Sequence, residues 1–257
     1  MTPDQVMSDS GYADVNGLHM YYETYGDGTP LVLLHGGMLT IDLNFAGLIP
    51  TLAKRHRVIG VEMQGHGRTA DIDRPITPAA LASDVVGLLD HLGIDRAHVL
   101  GHSMGGGVAM ELAISYPDRV LSVVPISASV RPDGMHPDLS DPSKFATSPI
   151  MPTQQDFMEF KTEYERLSPH PEHFQEFLGA LSASNADLQG WSDQQLAGIT
   201  ARVLLVQGDR DFTLNEHGAL MKELIPGAQL AILPNTTHME VTRRADLLLP
   251  ILDAFLD

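Results

Sequence analysis

A serine that attacks a carbonyl needs a base to take its proton, an acid to orient that base and donors for the oxyanion that forms. This chain offers a candidate for each. The pentapeptide Gly101-His102-Ser103-Met104-Gly105 follows the apolar run Ala97 to Leu100 and precedes a helical-looking stretch, which is the strand, sharp turn and helix context of a G-x-S-x-G nucleophile elbow. A side chain on a strained turn tip needs neighbours without a Cβ at the close approaches, which is the steric reason for the glycines. Ser103 is therefore the expected nucleophile. Downstream, Asp209 and Asp211 follow the run Val203 to Gln207, and His238 follows Leu230 to Leu233. Serine, then acid, then histidine is the chain order such a site requires. Upstream, Leu31 to Leu34 empties into His35-Gly36-Gly37, a glycine turn with backbone N–H groups free to form an oxyanion-hole element.

The chemistry assigns a task to each group. His238 accepts the Ser103 proton during attack and returns it to the leaving group, while the acid fixes the imidazole tautomer and stabilises its cation. Both loops sit just beyond predicted strands, where the ligand crevice of an open α/β sheet lies.

The elements that must hold these residues are legible in the same sequence. Asn16-Gly17 lies between alternating segments and predicts an opening β-hairpin. Strand Leu31 to Leu34, a helix around Asn44 to Lys54 and strand Arg57 to Val61 then give a βαβ pattern and a parallel sheet. Thr77-Pro78 reads as N-cap and first turn of a helix that buries Leu81, Val85, Leu88, Leu89 and Leu92 and ends at Gly93. The helix after Ser103 stops before Pro117, and Val120 to Ile126 gives a further strand. Between Arg131 and Gly198 the pattern changes, with seven of 17 prolines and seven of 15 aromatics in about a quarter of the length. Phe157, Phe160 and Tyr164, and again Phe174, Phe177, Leu178 and Leu181, have helical spacing, so this stretch reads as short amphipathic helices.

With these residues in hand, the chain resembles the α/β-hydrolase superfamily, in its serine hydrolase, carboxylesterase-like branch, from about Gly11 to Asp257. The resemblance implies a mostly parallel sheet with an N-terminal antiparallel hairpin and helices on both faces. It implies a core of residues 1–130 and 199–257, with 131–198 inserted as a helical cap. The family's G-x-x-D spacing from Gly208 selects Asp211 as the acid and leaves Asp209 to structure its loop. Some relatives carry the acid after the preceding strand, but Ile126-Ser127-Ala128-Ser129 contains none. The family pattern assigns the oxyanion hole to the backbone N–H groups of Gly37 and Met104, and the apolar, aromatic-rich insert suggests a pocket at Met38 with the cap residues Phe157, Phe160, Phe174, Phe177 and Trp191. Many of these rings are expected to glue the cap to the core, and some to line the pocket. His35, His66 and His102 occupy turns where relatives often carry histidine and are expected to support the site without reacting.

Two departures stand out. Glu62-Met63-Gln64-Gly65-His66-Gly67-Arg68 begins with Glu where many relatives have Asp, so local hydrogen bonding should differ. Met38 follows His35-Gly36-Gly37 in place of the further glycines and proline typical of proline iminopeptidases and C–C bond hydrolases, which lowers both readings.

Composition narrows the chemistry. With 257 residues and 43% hydrophobic content, one sizeable core is expected. The absence of cysteine excludes thiolate catalysis, disulfides and cysteine-ligated zinc. Met1 to Gln5 carries acid in place of a basic n-region, and no apolar run approaches 18 residues, so neither signal peptide nor membrane span is expected and the chain reads as cytoplasmic. A net charge of −17 opposes nucleic acid and anionic membranes as partners. Asp133, His136, Asp138 and Asp141 read as a Pro-rich loop rather than a metal site, and no metal or cofactor is expected.

The reading is a serine hydrolase cleaving a carboxylic ester or lactone of a small, neutral, apolar substrate through an acyl-enzyme, as a monomer or small homo-oligomer. Perhydrolase or haloperoxidase-like activity, C–C bond hydrolysis on the same triad, and a non-catalytic small-ligand receptor are the alternatives. An aspartate nucleophile, as in haloalkane dehalogenases and epoxide hydrolases, is excluded by Ser103.

Overall fold

The computed structural model describes residues 7–186 and 190–256. The N-terminal reading of Met1 to Gln5 falls outside them. Among the described residues, eight strands form one sheet: β1 (Met7–Val15), β2 (Leu18–Tyr25), β3 (Thr29–Leu34), β4 (His56–Val61), β5 (Ala97–His102), β6 (Val120–Ile126), β7 (Arg202–Arg210) and β8 (Gln229–Thr237). Their spatial order is β1-β2-β4-β3-β5-β6-β7-β8. β1, β2 and β4 pair antiparallel, and every later pairing is parallel.

The opening hairpin forms where Asn-Gly predicts it, because Asn16 and Gly17 take φ of 49° and 87°, the left-handed pair that matches strand twist. The central strands are buried along their length: β5 has no exposed residue, and Leu31 to Leu34 are wholly buried. Helices therefore cover both faces. α3 (Pro78–His91) and α4 (Met104–Ser115) cover one. α3 starts at Thr77, whose hydroxyl accepts the Ala80 N–H, and gives way at Gly93 with φ of 65°. α9 (Ala245–Leu256) lies with α1 (Ile41–Phe45) and α2 (Ile49–Leu52) in the opposite core cluster. The helix expected from Asn44 to Lys54 is thus two short ones. Pro50, with no N–H and a fixed φ, begins α2 and cannot continue α1.

Between β6 and β7 the chain leaves the sheet. Three 3₁₀ turns (Pro132–Gly134, Pro137–Ser140, Pro142–Lys144) precede α5 (Gln154–Leu167), α6 (Phe174–Ala186) and α7 (Asp193–Ala197). α5 is opened by a capping box in which Thr153 and Asp156 satisfy each other's backbone N–H groups. α8 (Asn215–Leu224) then connects β7 to β8. Among the described residues no helix is long and apolar enough to cross a membrane.

The crossing of β5 into α4 is tightly packed. A Cβ on Gly101 would fall on the Gly105 carbonyl oxygen, and one on Gly105 on the Leu34 carbonyl oxygen. These are backbone atoms, which cannot step aside without moving a strand or helix. Gly105→Ala is therefore expected to cost about 3 kcal/mol or more. Gly179→Ala, where a Cβ in α6 meets nothing within 4 Å, should add about 0.5–1 kcal/mol from helix propensity. Thermal melts of the two variants against wild type check both signs.

Candidate active site

The elbow holds Ser103 at φ 54°, ψ −115°, a conformation that L-residues rarely adopt. Its N–H donates to the Ile126 carbonyl at 2.8 Å, tying the turn to the end of β6. The side chain stands at the N-terminus of α4, where the first-turn N–H groups lack intrahelical acceptors.

His238 reaches it from the loop after β8. Ser103 Oγ donates to His238 Nε2 at 2.9 Å, and His238 Nδ1 donates to Asp211 Oδ1 at 2.7 Å. The structure thus brings together the serine and histidine expected from chain order and the aspartate that the family spacing selects. A register shift between Gly208 and Arg210 ends the regular pairing of β7 with β8 just before Asp211. Glycine at 208 lets the two chains close up, since a Cβ there would strike the Thr236 carbonyl oxygen.

Asp211 is 4% exposed, and burial alone would push its carboxyl up. The bonds to His238, to the Ser127 hydroxyl (2.5 Å) and to the Gly208 N–H (2.9 Å) outweigh that and hold it at about 2. The Phe212 N–H adds a donor at 2.6 Å. Ser127 is the residue after β6, where other relatives carry their acid; here it supports the acid of the next strand. Asp209 structures its loop instead, accepting the Thr236 N–H at 2.9 Å.

Sequence reasoning passed over two residues, one stacked on His238 and one bonded to the glycine turn. Phe212 stacks on the imidazole with centroids 3.8 Å apart and planes 14° from parallel. Its loop is tied to the chain leaving β6, since Phe212 O accepts the His136 N–H. Asn44 on α1 is the other, a polar residue buried with Ile41 and Phe45 on a short helix whose Asp42 stays partly exposed.

The glycine turn lies against the nucleophile: a Cβ on Gly36 would come 3.3 Å from Ser103 Cβ. Gly36 O accepts His35 Nδ1–H at 2.8 Å and the Leu39 N–H at 3.2 Å. Because a trans peptide points its N–H opposite its carbonyl, those bonds fix the direction of the Gly37 N–H. Met38, at φ 63°, is pinned by its own N–H donating to His66 Nε2 at 3.3 Å, while His66 Nδ1 donates to Gln64 O. The histidines that looked like supporting residues hold site backbone. Glu62 replaces the expected Asp by folding its carboxylate under Gly67, where it accepts the Arg68 N–H at 2.6 Å and pairs with the Arg68 guanidinium at 2.8 Å.

Of the proposed pocket side chains, Met38 touches two apolar clusters, one with Leu39, Phe160 and Met239, the other with Tyr164, Phe174 and Phe177. Leu181 of α6 comes within 3.9 Å of a Cβ on Gly37. Phe157 is 42% exposed, edge-on to Phe174. Trp191 packs in the core cluster beside α4, its indole N–H on Glu111 at 2.8 Å. Asp133 and Asp138 lie in the first two 3₁₀ turns of the insert, and His136 and Asp141 cap the second and third, His136 Nδ1 accepting the Asp138 N–H. Among the described residues, the group with metal-ligand spacing is His170, Glu172 and His173, exposed at the turn into α6.

A family model described as alpha/beta hydrolase fold matches residues 29–168. The chain belongs to that family. The dihydrolipoyllysine-residue acetyltransferase component of the acetoin cleaving system from Cupriavidus necator is 30% identical over 255 residues, 91% of this chain. The chain spans just under two thirds of that relative, 66% of its length. The 2-hydroxy-6-oxo-6-phenylhexa-2,4-dienoate hydrolase of Burkholderia cepacia is 26% identical, covering 90% of this chain and 89% of its own. Among solved structures, an enol-lactonase from Burkholderia xenovorans LB400 superposes with a TM-score of 0.73 at 25% identity, covering 95% of this chain and 99% of that one.

Burial sets the acid response of this assembly. Desolvation pushes His66 and His98 down to about 4 and His102 to about 3, and holds His35 and His217 low as well. Unfolded, each ring takes a proton near its ordinary value of about 6.5. Their contribution to stability is therefore complete above about 6.5 and lost as pH falls towards 4 and 3. Glu62, which burial raises to about 7, and Asp42, raised by burial, act in the opposite sense, two groups against five. The thermal midpoint should fall between pH 7.5 and pH 4.5, with net proton uptake on unfolding, as calorimetry in buffers of different ionisation enthalpy would show.

Proposed function

We propose that this chain is a serine hydrolase that cleaves a carboxylic ester or lactone of a small, neutral, apolar substrate through an acyl-enzyme. The observation that carries the reading is the unbroken relay from Asp211 through His238 to Ser103, at 2.7 and 2.9 Å, beside the glycine turn of Gly36 and Gly37. In this reading His238 takes the hydroxyl proton as Ser103 Oγ bonds to the carbonyl carbon. The oxyanion is received by the N–H groups of Gly37 and Met104. His238 then protonates the departing alcohol and activates the water that releases the acid, while Asp211 holds the tautomer and balances the imidazolium charge.

Residues 1–130 and 199–257 act as the core and 131–198 as a cap. Met38, Phe160, Phe174 and Phe177, with Tyr164 and Leu181, supply the apolar lining, while Phe157 and Trp191 belong to the outer surface and to the seam with α4. A neutral substrate is supported by charge. Residues 131–198 hold 11 acidic and four basic side chains. Arg68 is paired with Glu62, Arg243 with Asp156, Arg131 with Asp193 and Arg166 with Glu163, so none of these guanidinium groups is left over for a substrate carboxylate. The resemblance to an enol-lactonase fits the lactone half of the proposal. A second reading, C–C bond hydrolysis on the same triad, is favoured by the dienoate hydrolase relative, and the engaged arginines weigh against an acid substrate of that kind.

Turnover of short p-nitrophenyl esters tests the proposal. Ser103→Ala should lose a factor on the order of 10⁴ to 10⁶ and Asp211→Asn about 10² to 10⁴, with Asp209→Asn mild by comparison. Wild-type protein without turnover, or a folded Ser103→Ala keeping more than about a tenth of it, would defeat the assignment. In a panel of matched neutral esters and dicarboxylate monoesters, kcat/KM should favour the neutral member, most at low salt.

A further inference from the structure

We infer that Asn44 is a positioning residue that, with His102, fixes the oxyanion loop against the loop carrying His238. The inference rests on the hydrolase reading above. Asn44 is 3% exposed, on the short helix α1. Its Oδ1 accepts the Gly36 N–H at 2.8 Å, and its Nδ2 donates to Thr242 Oγ1 at 3.0 Å, four residues beyond His238. The same Oδ1 lies 3.2 Å from Nδ1 of His102, whose Nε2 lies 3.1 Å from the His238 carbonyl oxygen.

One carboxamide therefore touches three segments far apart in sequence. The Gly36 bond spans eight positions, the His102 contact 58 and the Thr242 bond 198. Its orientation is decided by Gly36, because a backbone N–H only donates and so requires the oxygen on that side. His102 then faces an acceptor at each ring nitrogen, Asn44 Oδ1 and His238 O, with one proton to give while neutral. Burial in the company of His238 keeps it neutral. The result is a polar cross-tie whose fixed bonds run from Gly36 through Asn44 to Thr242, with the single His102 proton given to one of its two facing acceptors, Asn44 Oδ1 or His238 O.

Its functional consequence follows from geometry. The Gly36 N–H that Asn44 holds belongs to the peptide just before the one that carries the Gly37 N–H, the two planes meeting at Gly36 Cα, and an oxyanion donor must sit at about 2.7–3.1 Å from the developing charge. A drift of a few tenths of an ångström between the loops would leave substrate binding nearly intact and weaken transition-state contacts. A side chain needed for packing alone would affect stability without that selectivity.

The experiment compares wild type with Asn44→Ala and Asn44→Asp in three readouts: the rate of Ser103 labelling by a fluorophosphonate, kcat and KM for p-nitrophenyl acetate, and inhibition by a trifluoromethyl ketone. Asn44→Ala should lower labelling and kcat by about 30- to 100-fold and weaken the ketone similarly, with KM within about 3-fold. Asn44→Asp keeps acceptors for Gly36 and His102, and the Thr242 hydroxyl can turn to donate, so it should recover to within about 10-fold of wild type. If Asn44→Ala does not fold, Thr242→Val takes its place, with an expected loss of about 3- to 10-fold in labelling at unchanged KM. Labelled wild type with Asn44→Ala unchanged within about 3-fold, or Asn44→Asp no better than a folded Asn44→Ala, overturns this inference alone; wild type that is never labelled overturns the hydrolase reading beneath it.

Discussion

The site depends on one backbone constraint, the positive φ of Ser103 at the turn from β5 into α4. Such a conformation costs on the order of 1–3 kcal/mol and persists only where the surroundings over-determine it. Here they do so by close approach: Gly101, Gly105 and Gly106 allow the helix to lie against β3, β5 and Ala128 at distances where a Cβ would meet backbone or side-chain atoms. The strain lifts the hydroxyl clear of the sheet end and brings it to a helix N-terminus. The loops after β3, β7 and β8 then need only converge on that point.

They converge through bonds made by groups that do not react. Ser127 and the Gly208 N–H hold Asp211, His35 and His66 hold the glycine turn, and His102 reaches the main chain of His238. Each is buried or backbone, so each bond forms away from competing water and a lost partner leaves an unsatisfied polar group. Buried neutral imidazoles suit this task because each offers one donor and one acceptor in a rigid ring. The same choice makes the frame sensitive to acid, since protonation removes an acceptor and adds a buried charge.

Charge acts at longer range. Arginine side chains near the insert between β6 and β7 are spent on carboxylates of the insert and its neighbours, as Arg243 is on Asp156 and Arg131 on Asp193. The Arg243 pair fastens α5 to the segment after β8, while the Arg131 pair joins the two ends of the insert. Met38, with its unbranched thioether, links the apolar cluster around Phe160 to that around Phe177, filling a gap that a rigid side chain would match less well.

The sequence by itself determined the family, the parallel sheet with its antiparallel start, and the three residues of the relay. Asn16-Gly17, Thr77-Pro78 and the apolar runs are local signals, Ser103 and His238 follow strands in a fixed order, and the family's G-x-x-D spacing chose Asp211 over Asp209. It misjudged the stretch Asn44 to Lys54, where Pro50 splits the helix. It pointed to Trp191 and Phe157 by aromatic content, which says that a ring is buried or exposed somewhere but not against what. Tertiary structure alone decided that Trp191 lies on α4, that Phe212 stacks on His238, that Ser127 supports Asp211, and that Asn44 meets Gly36, His102 and Thr242. These contacts join segments separated by up to 198 positions. A local pattern carries no trace of such a meeting, because it is fixed by how strands are ordered in the sheet and how closely their loops can pack.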